Sequence, residues 1–69
     1  MSIITKDFFR FLETASQGEL FAFRDKLYEA RRKIRDQDYR REIRLAIRRV
    51  DEELVARAEL AAFLRRRQA

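Results

Sequence analysis

The side chains that could attack an electrophile are the hydroxyls of Ser2, Thr5, Thr14 and Ser16, because the 69 residues contain neither cysteine nor histidine. None of the four has a base at a helical or motif spacing to take its proton, and two are better placed as helix caps. Carboxylates occur in groups: Asp51, Glu52 and Glu53 are adjacent, and Asp25 and Glu29 lie one helical turn apart. Such groups can hold a cation or share acid and base roles. Here they lie beside arginines in a chain too short to enclose a pocket around them, so a solvated acidic patch is expected. There is no glycine-rich phosphate loop and no Cys/His metal pattern. The residues point away from catalysis, and no cofactor or metal is expected.

Arginine is the more informative residue. The net charge of +5 is unevenly spread. Residues 1–30 hold four basic and five acidic side chains, residues 31–49 nine and three, and residues 50–69 four and four. The net values are −1, +6 and 0, so the excess sits in the middle of the chain. Arg41, Arg44 and Arg48 fall on one helical face. Arg24, Arg31 and Arg35 fall on another, which also carries Phe21 and Tyr28, and Tyr39 follows closely. Arginine with interleaved aromatics suits a protein interface, where both are enriched. It also suits phosphates and bases, through the planar guanidinium and stacking. Local pairing of Asp36 with Arg40, Arg48 with Glu52 and Arg49 with Glu53 would neutralise only part of it. The Arg65-Arg66-Arg67 run complements the dipole of a last helical turn.

These residues must be positioned by helices. Proline is absent and Gly18 is the only glycine, so the turn chemistry of a sheet is missing and good helix formers dominate. The spacing predicts a single all-α domain over residues 1–69. Helix 1, about residues 5–15, begins with Thr5 as N-cap, Asp7 in the first turn and Ile4 with Phe9 as a hydrophobic staple. It presents Phe8, Phe11, Leu12 and Ala15. Ser16-Gln17-Gly18-Glu19 reads as a capping box, with Ala15 and Leu20 as its staple; one helix continuing through Gly18 is the alternative. Helix 2, about residues 17–35, carries Leu20, Phe23, Leu27, Ala30 and Ile34, with Glu29 and Lys33 as a favourable pair. Helix 3, about residues 39–66, carries Tyr39, Ile43, Ile47, Val50, Leu54, Ala58, Ala61 and Leu64.

At about 100° per residue the second stripe lies opposite the first if the helix is continuous. A straight rod would leave both stripes exposed, so a reversal at about 36–38 is expected, giving a long antiparallel helical hairpin, with Asp36 or Asp38 capping helix 3. At 1.5 Å per residue helix 2 spans roughly 28 Å and helix 3 roughly 42 Å, so helix 3 overhangs. A chain of this size has a thin core and usually needs a staple. With disulfides and Cys/His zinc sites excluded by inventory, self-association remains. A homodimer forming a helical bundle is expected, with Leu54, Ala58, Ala61 and Leu64 at its interface. Folding of helix 1 back onto the overhang is the alternative.

No apolar run approaches the roughly 18 residues of a membrane span. Residues Met1 to Lys6 also lack the pattern of a secretory signal. A cytoplasmic location is expected.

In size, in arginine-for-lysine bias and in the lack of His, Cys and Pro, the chain resembles small early proteins of bacterial phages and plasmids. Several of these sequester a host regulator, such as a LuxR-type quorum-sensing activator or a pilus motor. Thr5-Lys6-Asp7-Phe8-Phe9 is similar to the start of the Hha and YmoA modulators of nucleoid proteins, over one short helix only. Neither likeness transfers a site residue; both imply a regulator acting on another protein. The leading expectation is a non-enzymatic protein-binding inhibitor or anti-activator using Phe21, Arg24, Tyr28, Arg31, Arg35, Tyr39, Arg41, Arg44 and Arg48. Nucleic-acid binding by the basic segment is the alternative, though no helix-turn-helix pattern is present. Resting on an anionic membrane fits less well, since lysines are few and acids are mixed into helix 3.

Overall fold

The computed structural model describes residues 2–68. Its order is α1 (Lys6–Thr14), α2 (Gln17–Lys33) and α3 (Gln37–Gln68), with no strand among the described residues. Thr5 caps α1, its Oγ1 accepting from the Phe8 N–H at 3.2 Å. The helix stops at Ala15, where the backbone turns extended and the N–H donates to the Phe11 carbonyl at 2.8 Å. The chain does not run through Gly18 as one helix, because Ser16 starts α2 with a reciprocal cap. Its hydroxyl accepts from the Glu19 N–H at 3.1 Å, and its own N–H donates to Glu19 Oε1 at 3.0 Å. Ala15 and Leu20 are buried on either side of that cap.

α2 ends earlier than its spacing suggests. Ile34 is already extended and closes the helix with a 3.0 Å bond to the Ala30 carbonyl. Asp36 rather than Asp38 caps α3, its Oδ1 accepting from the Tyr39 N–H at 3.0 Å. A capping residue stands outside its helix, so this choice starts α3 at Gln37 and moves the linker from 36–38 to 34–36. Asp38 falls inside the first turn, where the helix dipole favours its charge. Arg35 therefore lies in the linker and not on a helical face with Arg24 and Arg31.

The core gathers Phe8 and Leu12 of α1, Ala15 at its end, Leu20 and Leu27 of α2, and Ile43, Ala46, Ile47 and Val50 of α3. Leu20, Ile43 and Val50 are fully buried, and each contributes roughly 1.5–3 kcal/mol by leaving water. Phe23 packs beside Phe11 and Phe8 with ring centroids 5.1 and 6.1 Å away. Of the staple expected before α1, Ile4 packs against the core, whereas Phe9 stays 43% exposed and touches Phe8 edge-on at 5.7 Å.

The long axis of 50 Å is that of α3, whose 32 residues span about 48 Å at 1.5 Å each. α2, with 17 residues, covers about half of it. α1 lies beside Arg49–Arg57 of α3: Arg57 Nη2 donates to the Leu12 carbonyl at 2.9 Å, a group that the helix end leaves unpaired. Ala58 is exposed but still borders Gln17 and Phe21 of α2, and beyond it the stripe continues with Ala61 and Leu64 exposed.

Candidate partner interface

Arg31, Arg44 and Arg48 come together along an open groove between α2 and α3. Its apolar lining is Ile47, Val55 and Ala56, and its carboxylates are Asp51, Glu52 and Glu59. At about 710 Å³ it matches a small-molecule pocket in volume. It is not walled off from solvent, however, and it is lined by as many arginines as carboxylates, which a mostly apolar ligand pocket is not. Arg31 stacks over the Tyr28 ring at 5.4 Å, an arrangement that fixes its guanidinium without neutralising it.

Arg24 is spent differently. Its Nη1 donates to Asp51 Oδ1 at 2.8 Å, joining α2 to α3, and it stacks over Phe21 at 5.1 Å. The Asp51 hydrogen bond is the main cause that raises the Arg24 pKa above its ordinary value. Arg24 thus ties the two helices together, and its Nε is buried without a partner. Phe21 borders a second depression with Gln17, Leu54, Val55 and Ala58. Leu54, expected at a dimer interface, is partly buried and packs against the chain's own core.

Tyr39 does not join the arginines. It is exposed beside Ile34, Asp36, Asp38 and Glu42, in acidic surroundings that follow from Asp36 and Asp38 flanking the start of α3. Arg35 and Arg41 are exposed and line no part of the groove. Arg48 pairs with Glu52 at 3.3 Å, as its spacing suggests. Arg49 reaches Glu52 at 3.4 Å and not Glu53, which is held by Arg57 at 3.0 Å. Asp36 serves as a cap through its side chain, and its ion pair with Arg40 is not formed among the described residues.

Sequence reasoning missed the groove's apolar floor. Val55 lies off the main stripe, and that displacement was its one signal. Among the described residues no group of His, Cys, Asp or Glu is arranged to hold a metal ion, and no helix is long and apolar enough to cross a membrane. No protein-family model matches the chain, and no curated protein or solved structure is significantly similar to it.

Proposed function

We propose that the protein is a non-enzymatic regulator that binds a larger protein partner, as a host-directed inhibitor does, through the groove of Arg31, Arg44 and Arg48. In this reading α2 and α3 form an antiparallel hairpin braced by α1, and two copies associate. The observation that carries it is the composition of the groove. Three arginines and three carboxylates border an apolar floor, so the surface is complementary to a mixed side-chain surface and not to a polyanion. A partner helix laid along it would bury Val55 and Ala56.

The hairpin is supported by which residues meet. Gln17 and Phe21 share a depression with Leu54 and Ala58, Arg24 holds Asp51, and Arg31 shares the groove with Arg44. Spin labels at Ala22 and Ala62 should lie far closer than the roughly 60 Å of an outstretched rod. A distance near that value would end the hairpin reading.

The binding reading is tested with a photo-crosslinking residue at Val55. Host protein captured by the wild type should be lost in Arg44→Glu/Arg48→Glu and retained in Arg41→Glu, with helicity unchanged in all three. Equal capture by the groove variant would remove the groove from the interaction.

A second reading has its own observation. Arg32, Arg35, Arg40 and Arg41 are exposed around the linker and make no ion pair among the described residues. They would meet nucleic-acid phosphates, with affinity falling steeply as salt rises. Absence of duplex binding at low salt discards this reading and leaves the first intact.

A further inference from the structure

The side of α3 that faces α1 does not end where α1 does. Arg49, Glu53 and Ala56 line a depression with Phe9, Leu12 and Glu13 of α1 and with Glu52. At spacings of three and four residues the same side continues through Leu60, Phe63, Leu64 and Arg67. In the first half of this stripe the depression holds Glu13, Glu52 and Glu53 beside Arg49, with Arg48 and Arg49 paired to Glu52 and Arg57 paired to Glu53 at its edge, so that Glu13 alone of the three carboxylates has no ion pair among the described residues. The second half is apolar and basic: Leu60, Phe63 and Leu64 are 58, 49 and 48% exposed, Arg65, Arg66 and Arg67 follow them, and Arg67 stacks over Phe63 at 5.9 Å.

We infer that the occupant of this depression is the basic end of α3 from a second copy, the two copies related by a two-fold axis near Leu60. This rests on the dimer reading above and gives it a direction. With Leu60 on the axis, Leu64 of each copy meets Ala56 of the other, and Arg67 of each meets Glu53 of the other. Apolar area lies on apolar area, and the alanine allows the helices close approach. A parallel pairing would set Arg67 against Arg67 and Glu53 against Glu53, like charge on like. The contact is isologous and closes on itself, so it yields a dimer and no filament. It also covers Phe9, which the fold leaves exposed.

The test uses the full chain, which has no cysteine of its own, so one introduced cysteine takes one label. Mass is followed by sedimentation, and a spin label at Gln68 reports direction. In the antiparallel dimer the two labelled positions stand sixteen residues apart along the axis, about 24 Å, whereas in a parallel one they are neighbours at about 10 Å. Arg67→Glu should weaken the dimer roughly fivefold, and Glu53→Lys combined with it should restore affinity. A dimer with adjacent labels overturns the direction and leaves the dimer standing. A chain that stays monomeric overturns both. A monomer that binds anionic vesicles through Leu60, Phe63 and Leu64 identifies lipid as the occupant and likewise overturns the proposal.

Discussion

Ile43, Ala46, Ile47 and Val50 repeat, fourteen residues later, as Arg57, Leu60, Ala61 and Leu64, on the same side of one helix. The first set is buried to within 6% of complete, while Leu60 and Leu64 of the second are about half exposed. Leu60, Ala61 and Leu64 keep the apolar spacing of Ala46, Ile47 and Val50, with Arg57 in place of an isoleucine, so periodicity alone does not explain the difference. Cover does. α2 runs out after 17 residues and α1 after nine, and their contacts along α3 extend to Arg57 and Ala58. A stripe tells which side of a helix prefers to leave water; the lengths of its neighbours decide how much of it succeeds.

The comparison is broken most directly by truncating one residue in each region. Ile43→Ala should cost about 3 kcal/mol in urea denaturation, since a fully buried side chain leaves a cavity. A domain of this size holds only roughly 3–10 kcal/mol in all, so that variant should be close to unfolding. Leu64→Ala should cost less than about 0.5 kcal/mol at high dilution and more as protein concentration rises, because its burial requires a second copy. Equal costs at dilution would mean that the exposed end is held within the single chain.

The caps were the most legible part of the fold. Thr5, Ser16 and Asp36 each sit ahead of a helical stripe, and a cap is a local device whose donors are two or three residues away. The face of each helix was legible for the same reason. What escaped was set over distance. Arg24 was assigned to a binding surface, yet it is drawn to Asp51, 27 residues on. Sequence proximity joins Tyr39 to the arginine surface, yet the early start of α3 places it among Asp36, Asp38 and Glu42, and Arg41, grouped with Arg44 and Arg48 by helical spacing, lines no part of the groove they share. The groove combines a residue of α2 with several of α3, so neither helix alone discloses it.

Smaller perturbations sharpen the contrast. Ser16→Ala removes the hydroxyl that receives the Glu19 N–H and should cost about 1 kcal/mol. Amide exchange should then speed up around Leu20 and Val50, while residues 60–68, in the monomer, exchange quickly with or without the cap. Gly18→Ala should act oppositely, stabilising by about 0.5 kcal/mol. Its added Cβ would meet nothing closer than Ser16 Oγ at 4.0 Å, and its backbone has no positive φ. A loss of stability would show that the first turn of α2 needs glycine for a reason its geometry does not reveal.

The least disruptive perturbation is pH. The Ser16 backbone N–H, and secondarily its hydroxyl, hold the Glu19 carboxylate below its ordinary pKa of 4.5. A carboxyl whose folded pKa is depressed contributes stability that is fully present above its unfolded value and disappears as pH falls through the folded one. Acid should therefore loosen the start of α2 and the core around Leu20. The reciprocal cap has no counterpart at the far end of α3 among the described residues. Glu19→Gln keeps an oxygen able to accept the Ser16 N–H while removing the titration, so the difference between wild-type and variant melting curves should shrink to nothing at low pH, open as pH rises through the folded pKa, and be complete above 4.5. Curves that stay parallel from acid to neutral would show that the carboxylate charge adds nothing to the cap, and that the packed half of the molecule is held by its buried side chains alone.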